Sequence, residues 1–306
     1  MGFLIIGPGA MGCLFAARLK ESGRDVTLLD YNEQRAETIN RQGIIVEGIM
    51  GEFSVKVPVV TKEIPAKTDF VIVCVKSYKT LEAAQRVKPF LSKDTVITTL
   101  QNGIGNIEIL NEIFGKENVL GGVTSEGATS LGWGKIRHAG QGSTIFGPKG
   151  ILKNSLEQLV VAFNKAGFKT DSAENVKGLI WGKLIINVGI NALTAITGLK
   201  NGDLPGHHGT RLIMEKAVEE AAAVAKAKKI DLPFSDPMAR VLEVCRDTAG
   251  NIASMLQDVM NKKMTEVDYI NGAIVKEGKK LKITTPVNQI LTCLVQTIHE
   301  TYDIKV

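Results

Sequence analysis

Phe3-Leu-Ile-Ile-Gly-Pro-Gly-Ala-Met-Gly12 is the stretch from which the fold can be read. Four apolar residues make a short strand buried on both faces, and the run Gly7-Pro8-Gly9-Ala10-Met11-Gly12 follows it directly. That run fits the G-x-G-x-x-G spacing. Its position after a strand and at the head of a helix gives the spacing value it lacks alone. Gly7 permits a tight turn, Gly9 lets the backbone approach a pyrophosphate, and Gly12 lets the helix pack close to the sheet. The helix N-terminus then faces the phosphates. A glycine-rich turn without a ligand would account for the glycines but not for their context.

Outward from this stretch, strands and helices alternate. Helix is expected over residues 10–22, ended by Gly23, and again over 33–41, 80–87 and 104–114. Strands are expected at 26–30, 70–75 and 95–100, and an antiparallel pair at 44–47 and 53–57. Residues 119–125 and 135–146 look extended and glycine-rich. A helix at 152–166 and a last strand at 168–171 complete the pattern. Such alternation implies an α/β domain with a parallel, doubly wound sheet. Beyond about residue 173 only helical patterns remain, at 174–196, 209–229, 236–246, 252–261, 266–280 and 287–301. The expected organisation is a dinucleotide-binding Rossmann domain over 1–172 and an all-helical domain over 173–306.

The chain has 306 residues, 44% of them hydrophobic and 23% charged, with a net charge of +5. This is the composition of an ordinary globular protein. No dense Lys/Arg run marks a nucleic-acid surface, so the charge excess favours anionic small molecules. No apolar run is expected to reach the roughly 20 residues that span a bilayer, and the N-terminus lacks the basic region of a signal peptide. Cys13, Cys74, Cys245 and Cys293 show no metal spacing and lie in apolar sequence, so buried free thiols in the cytoplasm are expected and no metal.

Open α/β sheets bind ligands beyond the carboxyl ends of their strands. Three such ends carry polar groups. Asp30 closes the second strand and could accept the adenosine ribose hydroxyls, which favours NADH and opposes a 2′-phosphate. Arg35, Arg24 or Arg41 could instead receive that phosphate. A solvated loop carboxylate is the plain alternative for Asp30. Lys76, after the 70–75 strand, could face an anion. Asn102, after the 95–100 strand, could touch both nicotinamide and substrate, though Asn-Gly is also ordinary turn chemistry. Ala128 could line the cofactor cleft through its backbone. His138 fits a surface strand better than a cleft.

The segment Trp181-Gly-Lys-Leu-Ile-Ile-Asn-Val-Gly-Ile-Asn191 is apolar except for Lys183, Asn187 and Asn191. Steps of four put these on one helix face. A solvated face would carry more charge, and buried polar groups are costly unless answered. A desolvated lysine has a lowered pKa and can donate a proton near neutrality, as a new alkoxide requires. The amides could hold a substrate's carboxylate and hydroxyl. Asn251 and Ser254, three apart, could share a face, and Glu266 could cap or begin the next helix, though each is normal at a helix start.

Together these motifs resemble the ketopantoate reductase (2-dehydropantoate 2-reductase) family. The carrying stretches are GPGAMG at 7–12, CVKSYKT at 74–80, LQNGIG at 100–105, WGKLIINVGINALTA at 181–195, NIASMLQDV at 251–259 and TEVDYING at 265–272. The resemblance implies a Rossmann domain followed by a helical domain like that of 6-phosphogluconate dehydrogenase. It implies NADPH-dependent reduction of 2-dehydropantoate to (R)-pantoate in pantothenate and coenzyme A synthesis. By motif position Lys183 matches the proton donor. Asn102, Asn187, Asn191, Asn201 and Ser254 match substrate contacts, and Lys76, Asn102, Ala128 and Glu266 match cofactor contacts. The family usually has an arginine after the second strand, where this chain has Asp30-Tyr31, so NADH is an alternative to NADPH. A reductase of another branched 2-keto acid and a nicotinamide-binding sensor without turnover are the other readings. The apolar stretch Val287–Ile298 fits either a core or a homodimer face.

Overall fold

The strand β1 (Gly2–Ile6) is buried along its whole length, as its unbroken apolar run requires. The structure, a computed structural model, describes residues 1–304 apart from Met50, Ala66, Lys149 and Ile151. Two compact units form. One comprises Met1–Gln101 and Asn106–Val176, the other Asn102–Gly105 and Lys177–Val306.

In the first unit β1 leads into α1 (Ala10–Glu21), β2 (Asp25–Leu29) and α2 (Glu33–Gln42). Next come β3 (Ile44–Gly48), β4 (Phe53–Val55), β5 (Val59–Val60), β6 (Phe70–Val73), α3 (Thr80–Val87) and β7 (Val96–Thr99). After these follow α4 (Asn106–Phe114), β8 (Val119–Thr124), β9 (Gly127–Gly132), β10 (Lys135–Gly140), β11 (Ser143–Gly147), α5 (Lys153–Lys165) and β12 (Lys169–Ser172). The main sheet has eight strands in the order β12-β11-β8-β7-β6-β1-β2-β5. From β8 to β5 every pairing is parallel. The strand order reverses between β1 and β6, which pair from Phe3↔Phe70 to Ile6↔Val73. That switch point sets the crevice at the ends of these two strands.

Two features depart from a purely parallel sheet. β11 runs antiparallel to β8 and brings β12 alongside as an edge pair. In addition, β4-β3-β10-β9 form a separate four-stranded sheet, in which β3 and β10 run parallel. Residues 135–146, expected as one extended segment, therefore divide between two sheets. The break falls at Gly142, which lies so close to Ser125 that a Cβ would stand 2.6 Å from the Ser125 carbonyl oxygen. β9 had no sequence signature, because Gly-Ala-Thr-Ser-Leu-Gly lacks apolar alternation. The small sheet packs on α1, and its buried Ile44, Val46 and Ile136 share one core with Leu14 and Phe15.

Aromatic rings tie this core to the sheet edge. Phe163 of α5 lies 5.5 Å from Phe15, 5.1 Å from Phe146 and 5.4 Å from Phe168, centroid to centroid.

The second unit is helical: α6 (Val176–Thr197), α7 (His208–Ala227), α8 (Pro237–Asp247), α9 (Ser254–Met260), α10 (Asn271–Leu281) and α11 (Pro286–Glu300). α6 is its axis. Leu184, Ile185, Val188 and Ala192 are buried against residues of α7, α8, α10 and α11. Gly189 admits Val241 and Val218 so closely that a Cβ would lie within 3.0 Å of both. At 22 residues α6 is long and apolar enough to span a bilayer by composition, contrary to the sequence expectation, yet 67% of its most apolar window is buried inside the protein. The thiol expectation also needs correction. Cys13 and Cys245 are buried and Cys74 half-buried, but Cys293 is exposed. It lies on the outer side of α11, where Ile290 and Leu294 are exposed too, while Leu291 and Val295 face the core.

Phe163→Ala should cost about 3–5 kcal/mol of unfolding free energy, the scale for deleting a fully buried aromatic ring. Denaturant titration followed by fluorescence and circular dichroism checks this.

Candidate active site

The first unit offers a dinucleotide cradle. Gly7 has φ +101°, a conformation that favours glycine, and a Cβ there would meet the Val75 nitrogen at 2.9 Å. A Cβ on Gly12 would stand 2.0 Å from the Gly7 carbonyl oxygen, so only glycine lets α1 sit this close to the turn. Gly9 is different: a Cβ would meet nothing within 4 Å. It is exposed, with Ala10 and Met11 half-buried beside it and Pro8 buried. No side chain caps α1. The helix thus begins uncapped beside the open space at Gly9, an arrangement that suits a pyrophosphate.

Asp30 ends β2 but is no solvated loop carboxylate. It is fully buried. Its Oδ1 accepts the backbone N–H of Tyr31 at 2.6 Å and of Asn32 at 3.1 Å, and Arg35 donates Nε to Oδ2 at 2.6 Å and a terminal nitrogen to Oδ1 at 2.5 Å. The hydrogen bond from Arg35 to Asp30 pushes the arginine pKa up further. The position after β2 is thus a neutralised pair. Beside it, the Arg86 guanidinium stacks 4.7 Å above the Tyr31 ring.

The strand ends after β6 and β7 are braced by a polar network that has no signature in the sequence. Gln101 donates to the Val75 carbonyl at 2.6 Å and to the Thr80 hydroxyl at 2.9 Å. Asn106 accepts from Thr80 at 2.8 Å and donates to Ser77 at 3.1 Å. These bonds hold the turn that follows half-buried Lys76. Ala128 lies on β9 opposite His138 of β10 and packs against the core that includes α1.

His138 is not at the surface. It is 2% exposed, with Nε2 2.7 Å from the Glu126 carboxylate. Glu126 also accepts the Gly142 N–H at 3.3 Å, and His138 Nδ1 is buried without a hydrogen-bond partner. The alternation Lys135-Ile136-Arg137-His138 places His138 on the face of buried Ile136, a signal available in the sequence.

The second unit holds the polar face of α6. Lys183 and Asn187 are half-buried and Asn191 is buried. Desolvation brings the Lys183 pKa down to about 8, against the opposing pull of the Glu266 carboxylate. Glu266 is 7% exposed. It does not cap the turn it begins, because its side chain makes no capping bond there. Gly103, at φ +79°, lies against the same turn, and Ile104 N–H donates to the Tyr269 carbonyl at 3.1 Å. Half-buried Asn102 thus stands in a loop docked on the Glu266 turn.

Asn201 is buried. Its backbone N–H donates to the Asn251 carbonyl at 3.2 Å and its Nδ2 to the Thr248 hydroxyl at 2.9 Å. Its Oδ1 is buried with no hydrogen-bond partner. Ser254 is exposed at the first turn of α9, just beyond that loop. Among the described residues no group of three or more His, Cys, Asp or Glu could hold a metal ion.

The family model described as ketopantoate reductase PanE/ApbA matches residues 3–150, and its C-terminal counterpart matches 175–299. The 2-dehydropantoate 2-reductase of Pyrococcus horikoshii is 35% identical over 298 residues, 97% of each chain. This chain belongs to the ketopantoate reductase family. Among solved members, a PanE/ApbA family ketopantoate reductase from Ralstonia eutropha JMP134 superposes with a TM-score of 0.91 at 32% identity, covering 98% of this chain and 99% of the other. A D-mandelate dehydrogenase in ternary structure with NADH and anilino(oxo)acetate gives a TM-score of 0.93 at 29% identity, covering 99% and 100%.

A lysine held below its ordinary pKa destabilises the fold while protonated. Between pH 8 and 10.5 the unfolded chain binds more protons than the folded one, so stability rises with pH through that window. Below pH 8 the whole cost is present, up to about 3 kcal/mol. Lys183→Met should therefore raise the melting temperature at pH 7 by about 2–5 °C. The gain should fade as the pH approaches 10. Thermal melts across pH check both.

Proposed function

We propose that this chain reduces 2-dehydropantoate to (R)-pantoate with a reduced nicotinamide dinucleotide, in the cytoplasm, as a step of pantothenate and coenzyme A synthesis. The observation that carries the reading is Lys183. It is a half-buried ammonium on an apolar helix, with a pKa near 8 and Glu266 acting on it.

The open first turn of α1 above Gly9 fits a pyrophosphate. A reduced nicotinamide, when bound, supplies hydride for the keto carbon. Lys183 polarises the keto oxygen and gives the resulting alkoxide its proton, leaving a neutral amine that solvent reprotonates. Asn187, Asn191, Asn201 and Ser254 hold the carboxylate and hydroxyl of the substrate. The unpartnered Oδ1 of Asn201 supports this role, since a substrate hydroxyl would satisfy it. Asn102 contacts cofactor and substrate from the loop docked on the Glu266 turn, and Glu266 contacts the cofactor. Lys76 and Ala128 complete the cofactor contacts of the first unit.

Asp30 alone would repel a 2′-phosphate and favour NADH. Its pairing with Arg35 removes that charge and supports NADPH as the preferred donor. A second reading, reduction of another 2-oxo acid, draws on the likeness to the D-mandelate dehydrogenase. Absorbance assays with both cofactors and a panel of 2-oxo acids separate the two. A cofactor-binding sensor would bind NADPH and oxidise none of it.

Lys183→Ala should lower kcat by more than about a hundredfold, the scale of a lost general acid. Near-normal turnover would remove Lys183 from that role. In the direction of reduction the proton is present below pH 8, so wild-type kcat/KM should be level there and fall about tenfold per unit above it. Arg35→Ala should expose the Asp30 charge and lower the NADPH-to-NADH ratio of kcat/KM by about tenfold, equivalent to about 1.4 kcal/mol. Steady-state kinetics with each cofactor measures this.

A further inference from the structure

Asn271 is the first residue of α10 and is fully buried. Its amide nitrogen donates to the Val188 carbonyl of α6 at 3.3 Å and to Asn288 Oδ1 of α11 at 3.0 Å. Asn288, also fully buried, donates in turn to the Ala217 carbonyl at 3.0 Å and to Glu220 at 2.7 Å, both on α7. The Glu220 carboxylate accepts the first-turn N–H groups of Val287 at 2.9 Å and Asn288 at 3.0 Å. One polar chain thus runs from α6 through α10 and α11 to α7, inside an otherwise apolar core.

The chain is not ideal for stability. Asn271 Oδ1 is buried and has no partner. A leucine of similar size would remove that orphan but would leave the buried Asn288 Oδ1 without its donor. What the amide adds is direction. Apolar helix faces tolerate sliding by a residue step of about 1.5 Å, whereas a bond to one carbonyl does not. The carbonyl chosen belongs to Val188, next to Asn187 on the helix that carries Lys183. The other end of the tie is equally placed. Glu266 reaches Asn271 through a short stiff turn, with Tyr269 N–H on the Glu266 carbonyl at 3.0 Å and Ile270 N–H on the Val267 carbonyl at 3.1 Å.

We infer that Asn271 is a positioning residue for the reaction: it fixes the register of the Glu266 turn against α6 and so holds Glu266 to Lys183. This rests on Lys183 as the proton donor. Asn271 touches neither substrate nor cofactor in this role.

The test uses the full-length chain and the Asn271→Leu variant. The midpoint of Lys183 is read from the pH dependence of its acylation by acetic anhydride, followed by mass spectrometry of the peptide that carries it. Leucine keeps the site dry but frees the turn, so the pull of Glu266 weakens. The Lys183 midpoint should fall by half a pH unit or more, and kcat for 2-dehydropantoate should drop about tenfold. An unchanged midpoint with unchanged kcat overturns the inference and leaves Asn271 a packing residue. Asn271→Ser, read the same way, serves if the leucine variant does not fold. The acylation readout needs no turnover. If Lys183→Ala proves active, the proton-donor reading fails, while the midpoint still reports whether Asn271 governs the pull of Glu266 on Lys183.

Discussion

A single ammonium on the axial helix sets the terms for the helical unit. Lys183 sits where its neighbours exclude water, and desolvation there works against its charge while Glu266 works for it. Neither effect alone brings its pKa to about 8. Full desolvation would discharge the lysine at neutral pH, and full pairing would hold the proton too tightly. The surrounding structure keeps the two in balance. The turn after Thr265 supplies the carboxylate, and Glu266 in it is itself buried.

The first unit works by a different principle, that of empty space and close backbone approach. Gly7 and Gly12 bring helix and strand together, and the space above Gly9 stays open. The strand ends around this opening are fixed by side chains that bond to one another rather than to water. Gln101, Thr80, Asn106 and Ser77 form one such brace. Asp30 and Arg35 form another, whose formal charges cancel within the protein.

The strand–turn–helix at residues 3–12 was legible because three glycines at that spacing, set between a buried strand and a helix, suit a phosphate-binding turn and little else. The polar face of α6 was legible because an isolated ammonium and two amides at steps of four stand out in apolar sequence. Other features had no linear signature. Asp30 and Arg35 meet across the start of a helix, at a spacing no periodic rule flags. β9 lacks apolar alternation and exists because β10 pairs with it. Glu266 read as the cap or the start of a helix on its own sequence, and only the tertiary structure brings its charge to bear on Lys183. His138 lay between these cases: the period of two was present, but a histidine beside two basic residues looks solvated until Glu126 is seen beneath it.

The loop Asn102–Gly105 interrupts the sequence of the first unit yet groups with the helices, with Gly103 pressed against Tyr269. The gene is therefore not modular at the place where its helices begin. A chimaera joined near residue 176 would inherit its Asn102 loop from one parent and the turn that receives it from the other. Recombination between relatives should succeed only when these two short segments travel together, which makes them one inherited unit despite the long stretch of sequence between them.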